Sequence, residues 1–365
     1  MFKIVKKTET TPLQSALMRA AAAVCALLCA AVIMAVIGHN PVQVYSEIIK
    51  GSVGTAYRFR ETVNKAIPLV VLSLGIAVAF RMKFWNIGAE GQFYMGAYGA
   101  SLIALFFPGL PMIPMLVLMF AMSLLFGGLW ALIPAFFRMK FSTSETLITL
   151  MLNYVAIRWV TYLQYGPWKD PAAGGMPKIA RFPDAGVLPK ALGVHIGWVI
   201  ALVLVAAIYI LMRSTKLGYE ISVLGENANT AHYAGMNVKK IITVAVMLSG
   251  GLCGAAGMMQ ASAIEHSLSY QLSGGLGFTA IITAWLAHLN PLLVVAVSFL
   301  FAVLLQGGAY IQSALQIPAA VALMLQGVIL FFVLGSEFFL NYSIVSKKEL
   351  EKLAVKKAVE GERNE

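Results

Sequence analysis

Apolar residues run through this chain in long blocks, and the breaks between them are short and mostly polar or basic. The blocks occupy residues 20–38, 66–80, 88–107, 112–137, 145–165, 196–212, 241–260, 276–289, 291–306 and 317–336. Crossing ~30 Å of hydrocarbon takes ~20 residues of straight α-helix, so most of the blocks predict membrane spans. Blocks 66–80, 276–289 and 291–306 are shorter, and glycines interrupt others, which predicts broken or re-entrant helices. The expected fold is an all-α polytopic membrane protein of about ten transmembrane helices.

Composition agrees with that pattern. Apolar side chains make up 59% of the 365 residues and charged ones only 12%, with a mean hydropathy of +0.80, whereas soluble chains carry about a quarter charged residues. A net charge of +11 could serve nucleic acid, but the basic residues sit in short segments between apolar blocks. With the N-terminus inside, eighteen of the 27 Lys and Arg fall in inside segments. This bias predicts two cytoplasmic termini in a cell membrane and no nucleic-acid partner. Block 20–38 follows Lys3, Lys6, Lys7 and Arg19 as a signal peptide's would, but it is longer than an h-region and reads as a retained first helix. Cys25, Cys29 and Cys253 lie inside apolar blocks with no CxxC pair, and none of the five histidines (His39, His195, His232, His266, His288) has metal-ligand spacing. No P-loop, HExxH or GxSxG run occurs. The chain is therefore expected to hold no metal or cofactor and to draw energy from elsewhere.

The expected organisation is an N-terminal segment with the first helix (1–38), a membrane domain (39–340) and a basic cytoplasmic tail (341–365). Within the outer loop 39–65, Val42, Val44, Tyr45, Ile48 and Ile49 alternate with polar residues as in an interfacial helix, or as in a packed connector. The outer loop 166–195 holds Pro171, Pro177, Pro183 and Pro189 with Gly174 and Gly175, and predicts a turn-rich lid. In the inside loop 213–240, Asn227 or Asn229 is placed to cap a short helix that Gly235 ends, with Ala231, Tyr233 and Ala234 as contact residues. Such a helix suits docking into a partner's groove, and a solvated connector fits equally well. The tail from Ser346 pairs lysines with Leu350, Leu353 and Val355, a pattern for anionic membrane lipids.

Two polar stripes interrupt the apolar blocks. Glu90, Tyr94, Tyr98 and Ser101 recur along one helical face, as do Glu145, Thr149 and Asn153. The first stripe opens from Asn86-Ile87-Gly88-Ala89-Glu90-Gly91-Gln92, where a carboxylate and two carboxamides stand in an apolar setting. Ionisable groups inside a membrane point to function, and these residues would line a path for a polar solute. As an alternative, they are hydrogen-bonding glue between helices. Glu90 and Glu145 are both expected near the cytoplasmic ends of their helices, Glu90 as an inner gate or packing bond. The two blocks of spans flanking the sixth run in opposite senses. The second span of each is rich in glycine (Gly88, Gly91, Gly96 and Gly99; Gly274, Gly275 and Gly277), which fits an inverted repeat around a central site.

The run Asn86 to Gln92 resembles the permease subunits of ABC importers of the ribose, branched-chain amino acid and nucleoside group. Ser144-Glu145-Thr146-Leu147, Met151-Leu152-Asn153-Tyr154, Thr215-Lys216-Leu217-Gly218-Tyr219, Gly225-Glu226-Asn227 and Ala234-Gly235-Met236 join it, and together they look most like the nucleoside (guanosine-type) branch. The resemblance implies an inverted-repeat permease like the membrane domain of the vitamin B12 importer, and no enzyme. ATP and Mg would be bound by a cytoplasmic ATP-binding partner, a second permease would complete a heterodimer, and an extracytoplasmic lipoprotein would deliver the nucleoside. It also implies that Gly225, Glu226, Asn227, Ala231, Tyr233, Ala234 and Gly235 form the coupling segment that meets the ATPase. Asn86, Glu90, Gln92, Tyr94, Tyr98, Glu145, Thr149 and Asn153 are the expected pathway residues. A simple sugar or a branched-chain amino acid is the alternative cargo, and an ATP-independent transporter or channel the alternative class.

Overall fold

The computed structural model describes residues 2–6, 12–318 and 342–346, with scattered positions between 321 and 336. It is almost wholly helical. The elements are β1 (Phe2–Lys6), α1 (Pro12–Val36), α2 (Pro41–Val53), α3 (Ala56–Arg81), α4 (Ala89–Phe106), α5 (Met112–Phe141), α6 (Glu145–Tyr165), β2 (Lys190–Ala191), β3 (Val194–His195), α7 (Gly197–Ser214), α8 (Lys216–Glu226), α9 (Ala228–Tyr233), α10 (Val238–Gln260), α11 (Leu276–Leu286), α12 (Pro291–Ala314) and β4 (Tyr342–Ser346). The expected span 317–336 is described only in scattered positions beyond residue 318, and the tail after Ser346 lies wholly outside the described residues.

Among the described residues, six helices are long and apolar enough to cross a membrane: α3, α5, α6, α7, α10 with its π-turn extension Ala261–Glu265, and α12. The bent pair Val24–Val36 and Pro41–Val53, with 113° between its arms, makes up to seven. This is fewer than the ten expected, for physical reasons. α4 spends its first turns on Glu90, Gly91 and Gln92, and α11 has only 11 residues, about 16 Å of helix, half a bilayer core. Of the three blocks expected to be broken, only 276–289 is short. Block 66–80 is the buried end of a 26-residue helix whose first turns carry Arg58, Arg60, Glu61 and Lys65. Block 291–306 continues to Ala314.

The chain divides into two units, Met1–Ile48 with Gly308–Glu365, and Ile49–Gly307. In the first, Ala30, Met34, Val44, Ile48, Ile311 and Ile317 share a core, and the Tyr45 hydroxyl donates to the Leu27 carbonyl at 2.6 Å. Strand β1 pairs antiparallel with β4.

The second unit is built around α10, which packs on α3, α4 and α5. Small residues permit it. A Cβ on Gly254 would strike the Ser123 carbonyl of α5, and one on Gly257 the Phe93 carbonyl of α4, the close backbone approach that van der Waals packing between membrane helices favours. Around this centre, α5, α6, α7 and α12 turn leucines, valines and aromatics outward, among them Val117, Met151, Val203 and Leu300, as a lipid-facing surface requires. α4 and α11 begin side by side and run in opposite directions. Glu90 meets Gly277 at their starts, α11 ends with Trp285 against Trp85 and Phe80, and α4 ends with Phe106 against Trp168 of the 166–195 loop. That loop is turn-rich as expected, and includes the β2–β3 hairpin.

Candidate functional site

The loop between α3 and α4 turns back into the protein before its helix starts. Asn86 and Gln92 form a reciprocal carboxamide pair: Asn86 Nδ2 donates to Gln92 Oε1 at 3.0 Å, and Gln92 Nε2 to Asn86 Oδ1 at 2.9 Å. Asn86 Nδ2 also donates to Ser249 Oγ at 3.2 Å, and its Oδ1 accepts from the Gly88 N–H at 3.1 Å. Asn153 of α6 completes the turn, donating to the Ile87 carbonyl at 2.9 Å and accepting from the Gly91 N–H at 2.8 Å. Both carboxamide residues of the loop and Asn153 are buried. Ser249 lies eleven residues into α10 from Val238, about 16 Å along the helix, so the Asn86 to Glu90 segment is deep in the unit although Glu90 stands in the first turn of α4.

Glu90 is buried, and its Oε2 accepts from the Gly277 N–H at 2.7 Å. The carboxylate thus caps α11, satisfying one of the free N–H groups at a helix start and opposing the positive end of its dipole. Ser273 Oγ takes the Leu276 N–H at 3.0 Å, and Gly275, at φ +88, lets the chain turn into the helix. One turn along α4, the Tyr94 hydroxyl donates to the Tyr270 carbonyl at 2.6 Å and accepts from the Ser273 N–H at 3.3 Å. Gln164 of α6 holds the same segment, accepting from the Tyr270 N–H at 3.0 Å. The stripe Glu90, Tyr94 therefore clamps the segment that leads into a half-length helix. Further along it, half-buried Tyr98 stacks on Trp168, and Ser101 bonds back to the Ala97 carbonyl.

The second stripe divides. Asn153 joins the loop, Thr149 bonds to its own helix at the Thr146 carbonyl, and Glu145 is the first residue of α6. Its Oε1 pairs with Arg138 at 2.5 Å and accepts from the Trp85 N–H at 3.3 Å. Sequence reasoning missed Arg138, seven residues from its partner Glu145, and Gln164, Tyr270 and Ser273, whose bonds to one another and to Tyr94 join residues more than a hundred positions apart. It also missed the aromatic cluster at the inner end of α11, where Trp85 and Trp285 stack at 5.6 Å and Phe80 contacts both.

At the C-terminal end of α3, α8 packs against it. Gly225 presses on the Arg81 carbonyl so closely that no Cβ would fit, while Ile221 and Leu224 are buried. Asn227 then caps α9, accepting from the N–H groups of Asn229 at 2.8 Å and Thr230 at 3.4 Å. Lys83 Nζ reaches the Glu226 carbonyl at 3.5 Å. Gly235 ends α9 in the left-handed region at φ +72, bonding to the His232 carbonyl. Ala231 faces inward and is fully buried, whereas Tyr233 is 90% exposed. Ala234 and Gly235 border a groove of 610 Å³ with Lys216, Tyr219 and Lys240.

The sequence model of a family described as "Branched-chain amino acid transport system / permease component" matches residues 59–334. The glucose ABC transporter permease protein TsgB13 of Haloferax volcanii is 30% identical over 332 residues, which cover 87% of each chain. The guanosine ABC transporter permease protein NupP of Bacillus subtilis is 28% identical over 321 residues, 85% of this chain and 90% of its own. The nucleoside ABC transporter permease protein NupB of Lactococcus lactis is 27% identical over 317 residues, 84% of this chain and 87% of its own.

Proposed function

Because the chain belongs to the branched-chain amino acid transport system permease family, and so is a multi-pass membrane permease subunit of an ABC transporter working with a separate ATPase and a substrate-binding protein, we propose that it forms one half of the path by which a nucleoside is imported. The observation that carries this reading is the unbroken line of contacts from α9 and α8, through Gly225 on Arg81 and Lys83 on Glu226, to Asn86, Glu90 and the start of α11. A partner ATPase that grips α9 would pull on the end of α3 and on the loop behind it. The half-helix α11 would then tilt against α4, opening the path alternately to either side. ATP and Mg act on the partner, and this chain makes and breaks no covalent bond.

The cap on α11 bears on the cargo. Half-helix N-termini in transporters hold anionic substrate groups, but here the protein's own Glu90 fills that position. A neutral solute rich in hydroxyl and ring atoms suits such a site better than an amino acid, whose carboxylate would meet Glu90. The relatives named for nucleoside and guanosine transport support a nucleoside. A simple sugar is the second reading, favoured by the relative named for glucose transport at 30% identity. A second, related permease would supply the other wall, and both termini would lie in the cytoplasm.

Uptake into vesicles holding the permease pair, the ATPase and the binding protein distinguishes these readings. Labelled guanosine or adenosine should accumulate only with ATP, with leucine excluded. Uptake without ATP refutes the mechanism, glucose uptake alone replaces the cargo, and leucine uptake refutes the argument from Glu90.

A further inference from the structure

The N-terminal half of α3, the β2–β3 hairpin, the start of α7 and the N-terminal half of α12 enclose an apolar groove of 470 Å³. Val63 and Ile67 line its floor, Leu192 and Trp198 one wall, and Phe59 and Phe299, ring to ring at 6.0 Å, close the other. It opens beside Leu202, Val203 and Leu300, which are exposed on span-length apolar helices. Its surroundings are therefore acyl chains.

One lining residue is charged. Arg60 is exposed, and no acidic side chain among the described residues lies within ion-pair distance of it. Its guanidinium rests on Gly193, at φ +80, where a Cβ would come within 2.7 Å of Cζ and Nε, so the hairpin leaves room for it. From Arg60 to Val70, the far liner on α3, is ten residues, about 15 Å of helix. That is the depth of hydrocarbon in one leaflet, half of ~30 Å.

We propose that this groove is a phospholipid site: one acyl chain lies along α3 from Arg60 to Val70, and the phosphate pairs with the Arg60 guanidinium. The leaflet is the one that meets the N-terminal end of α3. An anionic headgroup binds better than a zwitterionic one, whose own ammonium competes with Arg60 for the phosphate. Such a lipid would wedge the hairpin, α7 and α12 against α3.

The test uses the transporter assembled with its partner subunits in phosphatidylcholine vesicles, doped with either phosphatidylglycerol or phosphatidylcholine carrying a diazirine on the acyl chain. After irradiation, peptide mass spectrometry should place phosphatidylglycerol adducts on 56–70 and 191–202 above the level on the exposed α5 face around Leu118 and Leu125. Arg60→Gln should lower the phosphatidylglycerol adducts in the groove about fivefold and leave those on α5 unchanged. Leu202→Trp, which fills the groove from its exposed rim, should lower groove adducts from both probes. Adducts that ignore both substitutions, labelling no denser than on α5, or cross-links from the groove to another polypeptide in place of lipid would each overturn the proposal.

Discussion

Acid is expected to undock the β2–β3 hairpin from α3. His195 is only 1% exposed, and neither ring nitrogen has a hydrogen-bond partner. Its backbone N–H reaches Asn64 Oδ1 at 3.4 Å, and its ring packs on Gly197. Burial, with the Lys190 charge adding to it, holds the imidazole at about 4 instead of its ordinary 6.5. Undocked, the ring meets water and returns to the ordinary value. Between those two values the undocked form binds more protons than the docked one. Docking is therefore at full strength above pH 6.5, weakens as the pH falls, and has lost this contribution below about 4. The difference of roughly 2.5 pH units amounts to about 3 kcal/mol, and by pH 5.5 the undocked population rises about tenfold. Hydrogen exchange over residues 187–197, measured in nanodiscs at pH 7.5 and 5.5 and corrected for intrinsic rates, reads that factor directly. His195→Phe keeps the ring and removes the titration, so it should flatten the response. A wild-type hairpin indifferent to pH 5.5, or a His195→Phe variant that opens as readily in acid, refutes the reasoning.

Three further outcomes follow from the packing. Tyr233→Ala removes a side chain 90% exposed at the tip of α9, so it should change stability by less than about 0.5 kcal/mol yet weaken pull-down of the ATPase roughly tenfold; unchanged assembly counts against docking through α9. Gly257→Ala drives a methyl group into the Phe93 carbonyl and should cost about 1–3 kcal/mol, whereas Gly109→Ala, with open space around it, should be neutral; a thermal unfolding comparison in detergent that ranks them equal contradicts the close α4–α10 packing. Tyr94→Phe deletes both bonds that tie α4 to Tyr270 and Ser273, at about 1 kcal/mol each, and should speed modification of a cysteine placed at exposed Gln271 by a factor of ten or more; an unaltered rate shows that Tyr94 does not hold the segment.

The membrane class and most helix positions were legible because the bilayer imposes a simple rule on the sequence, that a span be apolar and long enough. Glu145–Tyr165 matches its block to the residue, and Asn227 caps α9 as its position suggested. What the rule does not encode was missed. α3 starts ten residues before its block, because Thr55 caps it, accepting from the Arg58 N–H, and the charged side chains of its first turns can extend outward. The burial of the Asn86 to Glu90 segment has a related reason: the residues after Arg81 and Lys83 turn back into the unit, held there by Ser249 and Asn153, which are distant in sequence. Ala231, expected as a contact residue of the short helix, is fully buried.

The same re-entry explains why Asn86, Gln92 and Asn153 are polar at all. A loop that leaves helical geometry inside a membrane exposes backbone groups that lipid cannot satisfy, and such backbone is tolerated only where protein or water takes them up. Asn86 and Asn153 do this for the N–H groups of Gly88 and Gly91 and the carbonyl of Ile87, Gln92 holds the Asn86 carboxamide in place, and Glu90 serves the N–H of Gly277 on the neighbouring half-helix. Of the two readings open for these residues, interhelical bonding is the one their hydrogen bonds display. Holding irregular backbone at that depth leaves room for a half-length helix beside α4, and a helix about 16 Å long, fastened at its start by Glu90 and Ser273 and at its inner end by Trp85 stacked on Trp285, can pivot between those two fastenings without exposing a bare backbone to lipid.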